Sequence, residues 1–143
     1  MPEKKDIKNL LPHRNPFLFV DKIISCDNEG SVCEYTFSED EFFFKGHFPQ
    51  YPVVPGVILV ETMAQAGGAA LSYQKAFSPG SLFFLGTVDK VKFRQQVVPN
   101  DTVRIEITNL RISPNMIKQS GKTYVGDTVA AEATWMCLVG EAN

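Results

Sequence analysis

Cysteine is scarce in this chain and badly spaced for cross-linking. Cys26, Cys33 and Cys137 form an odd set with no C-x-x-C pair, which speaks against a disulfide framework. The only histidines are His13 and His47, so the Cys and His clustering of a zinc site is missing too. The three cysteines read as buried thiols of a reducing compartment. Positive charge is also in short supply: 14 Lys and Arg against 16 Asp and Glu leave a formal net charge of -2. Phosphate-driven binding of nucleic acid needs a basic excess or stripe, so the balance argues against general nucleic-acid binding and leaves only local basic patches. Neither an internal repeat nor a low-complexity linker is present. The opening Met1-Pro2-Glu3-Lys4-Lys5-Asp6 is charged with no apolar run behind it, so no secretory signal is visible and the cytoplasm is the expected location.

Apolar residues are plentiful. With 143 residues and 44% hydrophobic content, one domain over 1–143 with a single buried core is expected. Residues 7–11 form an apolar patch about one helical turn long, and the prolines of Leu11-Pro12-His13-Arg14-Asn15-Pro16 forbid a helix there. Residues 17–24, aromatic and β-branched, predict a first strand ended by Asp27-Asn28-Glu29-Gly30. Residues 31–37 alternate, with Cys33, Tyr35 and Phe37 on one face, and predict its hairpin partner. Phe42-Phe43-Phe44 reads as core packing.

From Pro55 to about Ala76 the pattern is apolar almost all round, interrupted by Glu61, Thr62, Gln65, Ser72 and Gln74. It predicts a helix roughly 30 Å long that belongs inside something. Glu61, Gln65 and the Gly67-Gly68 pair count against a membrane span, and the glycines are expected to admit another backbone closely. Ser78-Pro79-Gly80 should end the helix. Further strands are predicted at 82–93, with Gly86 marking a bulge or a close contact, and at 102–108, with Val103, Ile105 and Ile107 facing inward. Then come 116–119, a turn at Ser120-Gly121, 122–125, a turn at Gly126-Asp127, and a long strand over 128–139. One buried helix and five to seven hairpin-linked strands predict an α+β architecture, a curved antiparallel sheet wrapped around a central helix.

Chemistry concentrates where the loop Gly46-His47-Phe48-Pro49-Gln50-Tyr51-Pro52-Val53-Val54-Pro55-Gly56 enters that helix. Its three prolines stiffen the segment that carries His47. Pro55 suits a helix start, and Gly56 offers an unshielded N–H at the positive end of the helix dipole. Glu61 follows among Ile58, Leu59, Val60 and Met63, where a carboxyl must be paired, hydrogen-bonded or protonated. An imidazole, a helix-terminal N–H and an acid are the parts needed for proton transfer beside a carbonyl. Each has a plainer reading: a hydrogen-bonded structural histidine, an ordinary helix start, and a buried carboxylate paired with a base. Gln65, one turn beyond Glu61, can hold it in place or simply pack.

His-Phe-Pro at 47–49, Pro-Val-x-Pro-Gly-Val at 52–57 and Glu-x-Met-Ala-Gln at 61–65 resemble the active-site signature of the β-hydroxyacyl-acyl carrier protein dehydratases. These are small hot-dog-fold enzymes of fatty-acid synthesis. The stretches 11–21, 89–94 and 97–101 resemble that family's amino-terminal signature and its later strand and turn. Gln50, Asn15 and Asn100 stand where Gly, Tyr and Gly are usual, and Gln95-Gln96 where Arg-Pro is frequent.

The resemblance implies dehydration of a (3R)-3-hydroxyacyl thioester on acyl carrier protein. His47 would take the C2 proton, Gly56 N–H would receive charge on the thioester oxygen, and Glu61 would assist departure of the hydroxyl. It implies no metal and no cofactor, and a homodimer, often a trimer of dimers, in which the His of one subunit faces the Glu of the other. Phe48, Ile58, Leu59 and Met63 are then expected to line an acyl channel, and Lys92 and Arg94 to meet the acidic carrier protein. His13, beside Arg14 and between prolines, is read as structural. Two other readings stay open: a hot-dog dehydratase that also isomerises, or a thioesterase; and a non-enzymatic acyl-carrier partner.

Overall fold

A helix without a polar face must be hidden on every side, and the chain is arranged to do that. The computed structural model describes residues 1–78 and 80–141. In it the long helix α2 (Gly56–Tyr73) follows a short α1 (Lys4–Ile7). From Ile58 to Ser72 every residue of α2 is buried except Glu61. No helix among the described residues is long and apolar enough to cross a membrane.

Six strands cover one side: β1 (Lys22–Cys26), β2 (Gly30–Thr36), β3 (Ser81–Phe93), β4 (Thr102–Ser113), β5 (Met116–Val125) and β6 (Thr128–Glu141). They form one antiparallel sheet in the order β1-β2-β4-β5-β6-β3, and α2 meets all six. Alternation does the rest. Cys33, Tyr35, Val103, Ile105, Ile107, Ile117, Trp135 and Cys137 are buried toward the helix, while their neighbours face outward; Cys26, expected to be buried, is only half-buried at the end of β1. This is the curved sheet around a central helix that the periodicity predicts.

The other side is covered by irregular chain, and here the structure departs from expectation. Residues 17–21 are not a strand; the first strand starts at Lys22. The segment instead crosses the helix with Leu18, Phe19 and Val20 buried, and its backbone bonds a side chain: Phe19 N–H donates to Gln65 Oε1 at 2.8 Å and Gln65 Nε2 donates to the Phe17 carbonyl at 3.1 Å. A polar residue inside α2 therefore takes the place of a neighbouring strand. The Phe42–Lys45 3-10 helix adds Phe43 and Phe44, with Phe43 packed against the Phe19 and Phe37 rings.

Three glycine expectations need correction or refinement. Strand β5 runs unbroken through Ser120-Gly121, so there is no turn there; a Cβ on Gly121 would lie 2.7 Å from the Trp135 ring, which makes the glycine a packing requirement. Gly67 and Gly68 admit side chains, those of Gln119 and Phe83, and not a second backbone. Gly86 does mark a bulge, since the β3–β6 register shifts between Leu85 and Thr87. The helix stops at Tyr73, ahead of the expected Ser78-Pro79-Gly80, of which Pro79 lies outside the described residues; Lys75 at φ 63 turns the chain.

The turn before β4 explains one departure from the family pattern. Asp101 N–H donates to the Val98 carbonyl, Pro99 follows Val98, and Asn100 sits at φ 73. A turn with Pro second and positive φ third is the type that favours Gly, with Asn the next best residue. We expect Asn100→Ala to lower stability by about 1 kcal/mol and Asn100→Gly to leave it unchanged or higher, as read from urea midpoints.

Candidate active site

The 3-10 helix delivers His47. Its N–H donates to the Phe43 carbonyl at 2.9 Å, and its ring Nδ1 lies 2.9 Å from the Val53 carbonyl. A carbonyl only accepts, so the neutral ring carries its hydrogen on Nδ1 and presents the Nε2 lone pair as a base. The loop behind it is anchored by Val54 N–H to the Val97 carbonyl at 2.7 Å and by Tyr51 hydroxyl to Gln96 Oε1 at 2.8 Å. Phe48 adopts φ 54 directly before Pro49 and stacks 4.4 Å from the imidazole. A bulky residue in that region costs on the order of 1–3 kcal/mol, a strain that accumulates at functional sites.

His47 opens onto a cavity of about 470 Å³ bordered by Gly56, Leu59, Phe93, Arg94 and Gln96. Pro55 precedes α2, and its carbonyl accepts from Ile58 and Leu59. The Gly56 N–H therefore belongs to the first turn, where no intrahelical acceptor exists and the dipole is positive. A Cβ on Gly56 would lie 2.7 Å from the Phe93 ring, so only glycine lets that ring close over the helix start.

Glu61 lies elsewhere. It borders a second cavity of about 250 Å³, with Leu11, His13, Gln65, Phe83, Phe84, Leu85 and Cys137. Gln65 Nε2 donates to Glu61 Oε2 at 2.9 Å, the hydrogen-bonded solution among those open to a carboxyl in apolar surroundings. His13, read from the sequence as structural, places its Nε2 3.5 Å from the same oxygen. No local pattern points to this contact, because it joins the Pro-flanked amino-terminal loop to the middle of α2. Burial, and then the nearby Glu61 carboxyl, pushes the Cys137 thiol up to about 12, so that thiol stays protonated beside the acid.

Within one chain the proposed base and acid thus border different cavities. Leu59 borders the His47 cavity. Ile58 and Met63 are buried in the core and line neither of these two cavities, and Phe48 is largely exposed beside His47. Arg94 is exposed, donates from Nε to Glu132 Oε2 at 3.0 Å, and holds that carboxyl below its usual range. Lys92 is exposed nearby on β3.

A helix encased by a six-stranded antiparallel sheet, with His47 at its entrance, defines a hot-dog-fold protein of the FabA-like class. Residues 11–134 match the FabA-like domain family, and the chain belongs to it. The curated relatives it resembles include the 3-hydroxyacyl-acyl-carrier-protein dehydratase FabZ of Clostridium kluyveri, 40% identical over 140 residues, 97% of this chain and 96% of that protein. The FabZ of Desulforamulus reducens is 43% identical over 136 residues, covering 94% and 95%. Among solved structures, the dehydratase heterocomplex ApeI:P from Xenorhabdus doucetiae superposes with a TM-score of 0.81 at 19% identity over 96% of this chain and 91% of that one, a likeness of fold.

Gln65→Leu removes three hydrogen bonds at once and strands the Phe19 N–H under cover. We expect a loss of about 3 kcal/mol in urea unfolding, against less than about 1 kcal/mol for an exposed control such as Lys45→Ala.

Proposed function

We propose that this chain is a 3-hydroxyacyl-acyl carrier protein dehydratase, a hydro-lyase of fatty-acid biosynthesis. The observation that carries the proposal is the His47 ring, held through Nδ1 on the Val53 carbonyl so that Nε2 is the basic nitrogen, at a cavity that also contains the start of α2. The FabZ relatives at 40 and 43% identity support the same reading.

In this mechanism His47 Nε2 takes the C2 proton of a (3R)-3-hydroxyacyl thioester. Negative charge builds on the thioester oxygen, which accepts from Gly56 N–H. The C3–O bond then breaks as Glu61 gives its proton to the departing hydroxyl, leaving water and the trans-2-enoyl thioester. Passage of the proton from the imidazolium back to the carboxylate, through solvent, resets the pair. The acyl chain runs past Leu59 and Phe48, with Ile58 and Met63 as deeper lining where the core opens to substrate. Lys92 and Arg94 receive the acidic carrier protein beside the cavity mouth.

One chain does not bring acid and base together, and its free sheet edge offers the remedy. β3 is an edge strand of 13 residues, exposed from Phe84 to Phe93 and rich in apolar side chains: Phe84, Leu85, Val88, Val91 and Phe93. Such an edge invites a partner strand. The Glu61 cavity touches Phe83–Leu85 at one end of β3 and the His47 cavity touches Phe93 at the other, a separation of roughly 30 Å along the strand. Antiparallel pairing of β3 with a second copy about a two-fold near Val88 places residue 93 of one chain opposite residue 83 of the other. His47 then faces Glu61 of the partner subunit. A trimer of such dimers is the larger assembly, and the cytoplasm, where the free thiols of Cys26, Cys33 and Cys137 persist, is its location.

Purified enzyme supplied with 3-hydroxyacyl carrier protein should lose water with the 2-enoyl thioester intact by mass spectrometry. A 3-enoyl thioester or free acid as sole product, or no turnover, refutes the proposal. His47→Ala should lower kcat at least about 1,000-fold with an unchanged circular dichroism spectrum. Val88→Asp should convert the dimer to monomer by light scattering and abolish turnover, because the two carboxylates would meet at the two-fold.

A further inference from the structure

We propose that His13 is a positioning residue for Glu61, fixing with Gln65 the carboxyl oxygen Oε2 so that Oε1 is the oxygen that carries the catalytic proton. The proposal rests on the dehydratase reading and extends it to a residue outside the His47 and Glu61 pair.

The amide of Gln65 has one possible orientation. Phe19 N–H can only donate, so the atom 2.8 Å from it is the Gln65 oxygen, and Nε2 is left to give one hydrogen to the Phe17 carbonyl and the other to Glu61 Oε2. Oε2 is therefore an acceptor already. His13 Nε2 approaches the same atom at 3.5 Å, with both side chains about one-fifth exposed. The other ring nitrogen of His13, Nδ1, is buried and has no hydrogen-bond partner among the described residues. A buried N–H without an acceptor is costly, so the neutral ring carries its hydrogen on Nε2, the nitrogen 3.5 Å from Oε2. With the Gln65 N–H bonded to Oε2 and the His13 nitrogen beside the same atom, a proton on the carboxyl belongs on Oε1.

The surroundings leave His13 alone in this role. Arg14, its neighbour, donates through Nη1 to the Leu11 and His13 carbonyls at 2.8 and 2.7 Å, which fixes the His13 backbone and turns that guanidinium nitrogen onto the loop. Cys137, facing the cavity from β6, is kept as a neutral thiol by burial and by Glu61. From α2 the facing groups are Glu61 and the uncharged Gln65. Phe83, Phe84 and Leu85 of β3 and Leu11 complete the wall and bring no charge.

His13→Phe keeps the ring and removes the donor, whereas His13→Gln restores a side-chain N–H. With 3-hydroxyacyl carrier protein as substrate, His13→Phe should lose about 10- to 100-fold in kcat with KM within about 2-fold, and His13→Gln should recover most of that loss. A His13→Phe enzyme with wild-type kcat, or a His13→Gln no better than His13→Phe, overturns the proposal. If His13→Phe does not fold, the 15N spectrum of the wild-type ring decides: the Nε2–H tautomer supports the proposal and the Nδ1–H tautomer overturns it. A wild-type enzyme that releases no water refutes the dehydratase reading and this role together; an active wild type beside an equally active His13→Phe refutes only the role of His13.

Discussion

The burial of α2 is the constraint from which the rest of the structure follows. A helix apolar on every face leaves nothing for water, and a single sheet can shield only the side it curves around. The remaining side is closed by the irregular segment 17–20 and by Phe43 and Phe44. Irregular chain has no ladder to satisfy its backbone, and Gln65, itself buried, supplies the missing partners from within the helix. The same amide reaches Glu61. Cover, helix and acid are thus tied at one side chain, so the position of the acid depends on the packing that buries the helix.

The helix also explains why the two proposed catalytic groups lie apart. Its amino-terminal turn must meet the loop that brings the chain in, and that junction holds His47, Gly56 and Phe93. Glu61 lies more than a turn further on, and it is the one residue between Ile58 and Ser72 that escapes burial. It points toward the amino-terminal loop and the start of β3. Each part is rigid for its own reason. His47 is set by backbone carbonyls and by a loop under local strain at Phe48, and Glu61 by Gln65, one turn further along α2, and by His13 from the distant amino-terminal loop.

Legibility in the sequence followed where the hydrogen bonds go. Strand β4 alternates because one face packs on the helix, and the unbroken apolar pattern of α2 announces its own burial; both are readable from side chains alone. The His47 loop was readable because three prolines and a glycine restrict the backbone locally. Residues 17–21 have strand-like composition but bond to Gln65 and not to a neighbouring strand, and composition does not distinguish those outcomes. Gly121 looks like a turn beside Ser120, yet its role is to make room for Trp135, a contact set by sheet register. The contact of His13 with Glu61 is illegible for the same reason in stronger form: the two lie 48 positions apart, and neither periodicity nor spacing encodes a meeting between a loop and a helix.

The protonation pattern gives the division of labour between the two groups a physical basis. The Val53 carbonyl selects the His47 tautomer that offers a lone pair, so the ring starts as an acceptor of protons. Gln65 donates to Oε2 of Glu61, which in the proposed mechanism leaves the other oxygen to hold and release one. Both arrangements are made by groups of the same chain, so in that mechanism they cost nothing further at the moment of reaction. What a single chain does not supply is proximity. Bringing a preset base and a preset acid to either side of one carbon–carbon bond is a problem of placement, and in the proposed dimer the free edge of β3 solves it. In that proposal assembly and catalysis are linked through the geometry of one strand, whose two ends border the His47 and Glu61 cavities.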